Sequence, residues 1–292
     1  MIRMEEWQTI EGMHVHAWSI SGLETCVVLK KTDLGFVAFD MGASTRESLK
    51  CQHVFISHGH MDHISAIPQH ATKQDLFKMK PATYFVPSHL VEPLQDVAEG
   101  YYRMHESSES LGKLRIKGIE PGDTVHLPGG HFIQPFPTVH RVRSQGYILY
   151  RKLKKLNPEY LGLPGHAVAA KIREGVAVHN TLVTPEVAYT GDTQFEIFLS
   201  PPNPDLLKVR LLIMETTYID DSCSVEKAKD RGHIHLHELV RNAHLFSNVQ
   251  SILLIHLSDK YSPRFIRDTV YKSLPHSLVN KVHLGLLAKE KY

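Results

Sequence analysis

His58-Gly59-His60-Met61-Asp62-His63 is the stretch that decides how the rest of this chain is read. Four side chains able to bind a metal stand within these six residues. They follow the apolar run His53-Val54-Phe55-Ile56 and precede Ile64 and a helix-like segment. Past the end of a strand, His58 and His60 can turn two imidazoles toward one ion, because alternate residues of extended backbone face the same way. The turn then sends Asp62 and His63 to the other side, toward a second ion. Carboxylate oxygen and imidazole nitrogen without thiolate suit catalytic zinc or manganese, not a structural cysteine site. A histidine-rich surface turn is the plain alternative, and it fits poorly between a buried strand and a helix.

Working outward, the chain is long enough at 292 residues to bury a sizeable core. With 42% hydrophobic and 22% charged residues it has a globular composition. Its net charge of +2 exerts no global pull on polyanions, so binding to nucleic acid must come from local basic patches. The 21 histidines point again to metal. Cys26, Cys51 and Cys223 lie far apart without CxxC spacing and read as buried thiols of a reducing compartment. The acidic start with Glu5, Glu6 and Glu11 lacks the apolar core of a signal peptide. No apolar run reaches the roughly 18 residues a membrane span needs. A cytoplasmic protein is expected.

Before the metal stretch, Met13–Ile20, Glu24–Lys30 and Gly35–Asp40 read as hairpin-connected strands, with Asp40-Met41-Gly42 ending at the active-site edge. After it come a strand at Ala82–Val86 and a helix from Ser88 with Leu90, Val91, Leu94, Val97 and Ala98 on one buried face. Further strands are predicted at Leu114–Ile119, Thr124–Leu127, His131–Thr138 and Gln145–Leu153. Arg151, Lys152, Lys154 and Lys155 form the densest basic cluster, and Pro158, Gly162, Pro164 and Gly165 break regular structure beyond it. Residues 151–183 therefore read as a loop or small arm, either a solvated connection or a substrate-binding excursion. Order returns with strands at Glu186–Thr190, Arg210–Met214, Ser251–Ile255 and Lys281–Leu286. Helices are expected through the stripe Leu236, Leu239, Val240, Ala243 and Phe246, and over Pro263–Leu274. This α/β (α+β) pattern suits two packed sheets with helices outside, a single αββα domain over residues 1–292.

Three more candidates stand at strand ends: His140 after Phe136-Pro137-Thr138-Val139, Asp192 in Gly191-Asp192-Thr193, and His256 after Ile252-Leu253-Leu254-Ile255. Each alone is a weak sign, since strand-end histidines and Gly-Asp turns are common. Together with the first stretch they complete two ligand sets. His58, His60 and His140 would hold one ion, Asp62, His63 and His256 the other, and Asp192 would bridge them.

The same residues carry a resemblance. Phe55–Ile64, Phe136–His140, Ser144–Tyr147, Val187–Thr193, Met214–Thr217, Gly232–His235 and Leu253–Tyr261 together resemble the metallo-β-lactamase superfamily. Within it they are most similar to the ribonuclease Z family of tRNA 3′-processing endonucleases in its short form. The resemblance runs from about Ile10 to Leu286. It implies an αββα sandwich, two Zn²⁺ per chain (or Mn²⁺), precursor tRNA as substrate and a homodimer. It also implies acid/base work for Asp62 and a proton-shuttling pair in Glu215 and His233, with His235 in reserve. Gly232-His233 is expected at the N-terminus of the helix beginning near Leu236, with the glycine allowing phosphate to approach. Ser258 and Lys260 are expected to touch substrate phosphate, with Lys260 standing where relatives usually have arginine. Lysine there keeps the charge and loses the bidentate fork. Two other classes stay open: a hydrolase of the same superfamily acting on a small phosphodiester, thioester or lactone, and an inactive scaffold.

Overall fold

The computed structural model describes residues 6–104 and 114–292. Residues 1–5, including Glu5 of the acidic start, lie outside that range, so only part of the N-terminal reading can be followed. The first sheet contains, in sequence order, β1 (Gln8–Ile10), β2 (Met13–Ile20), β3 (Glu24–Lys31), β4 (Gly35–Phe39), β5 (His53–Phe55), β6 (Thr83–Pro87) and β7 (Arg115–Ile119). Tight turns make the β1–β4 junctions antiparallel, and longer crossovers make the β4–β7 junctions parallel. Those crossovers carry α1 (Met61–Ile64), α2 (Ile67–Leu76) and α3 (Val91–Met104).

The second sheet repeats the scheme with β8 (Val125–His126), β9 (His131–Pro137), β10 (Gln145–Leu156), β11 (His179–Tyr189), β12 (Leu211–Glu215), β13 (Ser251–Ile255) and β14 (Val282–Leu284). Again three antiparallel junctions precede three parallel ones. Its helices are α4 (Gly165–Arg173), α5 (Glu196–Leu199), α6 (Val225–Asp230), α7 (Leu236–Arg241), α8 (Pro263–Ser273), α9 (His276–Val279) and α10 (Leu287–Lys291).

Strand alternation sorts the side chains into layers. Val27, Leu29, Phe39 and Phe55 of the first sheet meet Tyr147, Leu149, Tyr189, Ile213 and Leu253 of the second in the inter-sheet core. The opposite face of the first sheet, with Cys26, Val28, Ala38 and Val54, is covered by Ile67 and Leu94. Ile148, Leu212, Met214, Ile252 and Leu254 on the far side of the second sheet lie under Leu236, Leu239, Phe246, Ile266 and Val270. Burial on both faces explains why the strands read as unbroken apolar runs. The expected αββα sandwich is what forms. Cys26, Cys51 and Cys223 are free and buried.

Several boundaries differ from expectation. Residues 151–183 are not a loop. Arg151–Leu156 continue β10 and pair with His179–Thr184 of β11, so an antiparallel ribbon projects from the sheet. Leu153 and Leu156 supply the alternation that the surrounding lysines obscured. The helix breakers act only at the tip, where α4 still forms between the two strands. Val97, expected on the buried face of α3, is about half exposed, while Leu94 and Ala98 are buried. The helix expected through Phe246 stops at Arg241, because the Asn242 Nδ2 donates to the Glu238 carbonyl at 2.9 Å and ends the ladder. A short 3₁₀ turn over Ala243–Phe246 follows. The last strand is shorter than expected. A Cβ on Gly285 would come within 2.9 Å of Ile255 Cγ2, marking a close approach just after β14.

Candidate metal centre

One edge of the sandwich collects the ends of β4, β5, β11, β12 and β13. Beyond β5 the chain leaves the sheet through Ser57 and His58, and α1, a single turn, follows His60. Gly42 makes this packing possible: a Cβ there would stand 1.8 Å from the Asp62 carbonyl oxygen. The loop after β9 supplies His140, the turn after β11 supplies Asp192, and His256 follows β13.

These residues converge as two groups. His58, His60, His140 and Asp192 have ligand atoms within 4.8 Å of one another, and so do Asp62, His63 and His256. In the first group His60 Nδ1 lies 3.0 Å from His58 Nε2 and 3.3 Å from His140 Nε2. In the second, His256 Nε2 lies 3.3 Å from Asp62 Oδ2 and 3.4 Å from His63 Nε2. Asp192 stands between the groups, with Oδ2 3.7 Å from His58 Nε2 and Oδ1 3.4 Å from His63 Nε2.

The surrounding hydrogen bonds decide which ring nitrogen faces inward. Ser57 Oγ donates to Asp40 Oδ2, so it accepts from His58 Nδ1 at 2.9 Å. His140 Nδ1 donates to the Gly232 carbonyl at 2.8 Å, and His63 Nδ1 donates to Asp40 Oδ2 at 2.6 Å. Thr217 Oγ1 donates to Glu215 Oε2 and so accepts from His256 Nδ1 at 3.1 Å. These bonds place a proton on each Nδ1, so the Nε2 atoms of all four rings face into the pocket, and a neutral ring offers its Nε2 lone pair there. Among the described residues the buried Asp192 Oδ1 has no hydrogen-bond partner. A buried carboxylate oxygen left that way is expensive. Converging lone pairs, fixed tautomers and an orphaned anionic oxygen fit divalent cations.

Electrostatics agree. Burial, followed by the neighbouring His63, holds His58 well below its ordinary pKa. Burial also lowers His60 and His140, so this trio stays neutral and ready to ligate. Burial opposes the charged forms of Asp62 and Asp192, yet His256 and His63 keep both carboxyls ionised far below the usual range. His63 is pushed well above its ordinary value: burial opposes this, and the Asp192 and Asp40 carboxylates prevail.

Beside the ligands lies a second pair. His233 Nδ1 donates to Glu215 Oε1 at 2.9 Å. Glu215 is fully buried and also accepts from the Thr193, Thr217 and Ile234 backbone N–H groups. Burial works against the charged form of His233, but Glu215 and then Asp192 raise its pKa to about 9. His235 turns elsewhere: its Nδ1 accepts from the His237 N–H and its Nε2 donates to the Asp220 carbonyl, capping α7. His233 is two residues outside that cap, not at the helix N-terminus. Gly232 has φ +82°, and a Cβ there would approach His140 Nδ1 to 2.6 Å, so the glycine makes room for a ligand histidine and not for phosphate.

The residues expected to contact substrate are spread out. Lys260 lies over the rings of Tyr261 and Tyr218, donates to Ser222 Oγ at 2.5 Å and pairs with Asp220 at 3.6 Å. Ser258 is half-buried, its N–H on the Thr217 carbonyl. Arg151 is bound to Asp33 at 2.5 Å, while Lys152, Lys154 and Lys155 are exposed on the ribbon. Sequence reasoning missed Asp40, which accepts from Ser57 N, Ser57 Oγ, His63 Nδ1 and the Tyr189 hydroxyl. Its position at the end of β4 was the available signal. The roles of Ser57 and Thr217 had none.

A model of the β-lactamase superfamily domain matches residues 37–257. The chain is 38% identical over 273 residues to tRNase Z TRZ1 of Arabidopsis thaliana, covering 94% of this chain and 95% of the relative. It is 32% identical to the chloroplastic tRNase Z TRZ2 of the same plant, covering 90% and 72%. Among solved structures it is similar to human tRNase Z, short form, with a TM-score of 0.58 at 17% identity, covering 84% and 93% of the two chains. The metallo-β-lactamase fold protein YhfI of Bacillus subtilis gives a TM-score of 0.60 at 17% identity, covering 93% and 96%. These last two likenesses concern the fold.

Proposed function

From the premise that the chain belongs to the β-lactamase superfamily and, within it, to the tRNase Z family, we infer its reaction. It is an endoribonuclease that processes the 3′ end of tRNA. We propose that it removes the trailer from precursor tRNA, leaving a 3′-OH on the tRNA and a 5′-phosphate on the trailer. The observation that carries this reading is the placement of the His233–Glu215 pair beside the two converging ligand groups.

We propose two zinc ions per chain, replaceable by manganese. His58, His60 and His140 would hold one, Asp62, His63 and His256 the other, and Asp192 would serve both. Bound there, two ions supply an acidified water and take up charge on the phosphate oxygens. Asp62, whose Oδ2 accepts from the Gly22 N–H at 2.9 Å, is proposed to receive the proton of the attacking water. Its carboxylate is held in place by that bond. His233 is proposed as the general acid. Nδ1 is fixed on Glu215, and among the described residues Nε2 has no hydrogen-bond partner, so its proton is free to pass to the leaving 3′ oxygen. Its raised pKa keeps it protonated near neutrality. Glu215, anchored by backbone N–H groups, orients the ring and stabilises its charge.

The ribbon and α4 over residues 151–183 are proposed as a substrate arm of a single domain spanning 1–292, with Arg151, Lys152, Lys154 and Lys155 at its root. Ser258 and Lys260 are proposed to contact phosphate. A homodimer follows from the family resemblance, and a cytoplasmic location is supported by the three free cysteines. Among the described residues no helix is long and apolar enough to cross a membrane. One experiment tests the core of this reading: incubation with a labelled tRNA precursor, with and without chelator. Cleavage at the trailer junction that chelation abolishes is the expected result; intact precursor in both would refute the function.

A further inference from the structure

The loop between β9 and β10, Thr138–Ser144, carries more than a metal ligand. Its base is pinned on every side. The Thr138 and Ser144 hydroxyls lie 2.6 Å apart, the Val139 N–H donates to Thr193 Oγ1 at 3.1 Å, and the Gln194 N–H donates to the Val139 carbonyl at 2.7 Å. His140 is tied to Gly232. The tip, Arg141-Val142-Arg143, is exposed. Neither arginine has a carboxylate or hydrogen-bond partner among the described residues, whereas Arg151, Arg210 and Arg267 are all paired. Val139 and Val142 are 42% and 40% exposed beside them. The Arg141 stem lies against Gly232, one residue before His233, with Cγ 3.2 Å from where a Cβ on that glycine would stand.

A rigid loop that offers two unpaired guanidinium groups at the lip of the candidate metal pocket calls for a polyanion. Free lysines could serve as general surface charge, but guanidinium forks match phosphate oxygens in pairs and stack on bases. We propose that Arg141 and Arg143 form a second RNA-binding site, separate from the ribbon, which grips backbone phosphates next to the scissile bond. The proposal rests on the tRNA-processing function above. Because the loop also presents His140, a nucleotide held on its tip is fixed relative to the ligand groups. The site is thus a positioning clamp as much as a source of affinity.

The test uses the metal-loaded enzyme and a labelled tRNA precursor, with KM and kcat measured across a range of salt. The variants are Arg141→Ala/Arg143→Ala and Arg141→Lys/Arg143→Lys. Each lost phosphate contact should reduce the slope of log affinity against log salt by about 0.7 to 0.9. The alanine pair should therefore flatten the slope by roughly 1.4 to 1.8 and raise KM about tenfold or more at low salt. The lysine pair should recover the slope, because charge is kept, while KM recovers only in part. An alanine pair with the parent's slope would overturn the clamp. So would a lysine pair as flat as the alanine pair, since that would trace the effect to the Arg141 stem on Gly232. A parent enzyme that leaves the precursor uncut would overturn the tRNA-processing function itself, and the clamp with it.

Discussion

Two aspartates occupy corresponding places in the two halves of the molecule. Asp40 follows β4 and Asp192 follows β11, each where an antiparallel run of strands gives way to a parallel one. Both are buried. Asp40 accepts four hydrogen bonds from Ser57, His63 and Tyr189. Asp192 leaves Oδ1 bare toward His63 and His256. The same topological position thus makes one carboxylate a brace and the other a candidate ligand, and the neighbours decide which. Glu186, six residues before Asp192 and at the start of the buried part of β11, offers a third case. Its partners are built in: Lys31 Nζ at 2.5 Å and His131 Nε2 at 3.2 Å. A satisfied carboxylate holds structure, and an unsatisfied one holds something from outside.

The sharpest way to break this contrast is Asp192→Ala. Turnover should fall on the order of 10³-fold, as removal of a preorganised electrostatic centre does. Elemental analysis should show fewer bound metal ions than the parent. A variant that keeps its full metal content would make Asp192 a brace after all. His233→Ala should slow tRNA cleavage by about 10²- to 10⁴-fold. It should barely affect bis(p-nitrophenyl) phosphate, whose leaving group departs without a proton. Equal losses on both substrates would mark the residue as structural.

Asp40→Asn should cost less, about 10- to 100-fold in metal affinity, the usual effect of disturbing a ligand's outer partner. Activity should return with added zinc or manganese, and failure to recover would put Asp40 in the chemistry. Lys152→Ala/Lys154→Ala/Lys155→Ala should flatten the salt dependence of tRNA binding by roughly 2 to 3 without altering metal content. Unchanged slopes would return the ribbon lysines to ordinary surface charge. Glu186→Gln should produce the smallest effect, confined to acid stability. Burial opposes the charged form, but His131 and Lys31 lower the Glu186 pKa from 4.5 to about 2. Its contribution is therefore complete above pH 4.5 and is lost as pH falls toward 2. Melting curves between pH 5 and 3 should show the parent losing stability more steeply than the variant, with metal binding at neutral pH unaltered.

What was legible in the chain follows from the same distinction. The candidate ligands lie at strand ends or in the turn just after β5, so they could be picked out as a set from spacing and apolar context, although each strand-end residue alone was a weak sign. The braces could not. Ser57 and Thr217 matter because of what lies across the sheet from them, and Asp40 differs from Asp192 only in its company. For residues 151–183 the sequence offers a loop or a small arm, and the structure forms the arm; lysines hide how far its strand runs, since Leu153 and Leu156 alternate but charge dominates the stretch. His235 and His233 looked interchangeable in sequence, and only the cap on α7 separates them. Val97 shows the limit of helical periodicity, since a stripe five residues wide can exceed the face its neighbours cover.

The ribbon also has a metrical consequence. β11 runs from His179 to Tyr189, three residues short of Asp192. At about 3.3 Å per residue, the 13 steps from His179 to Asp192 span roughly 43 Å at most. The tip of the ribbon and the candidate metal centre therefore stand at the two ends of one strand. Slipping β10 against β11 by two residues would reset the gap by about 6.6 Å. The register shifts between Leu149, paired with Val187, and Tyr150, paired with Pro185, which leaves Glu186 of β11 as the extra residue of a bulge that resists such slippage.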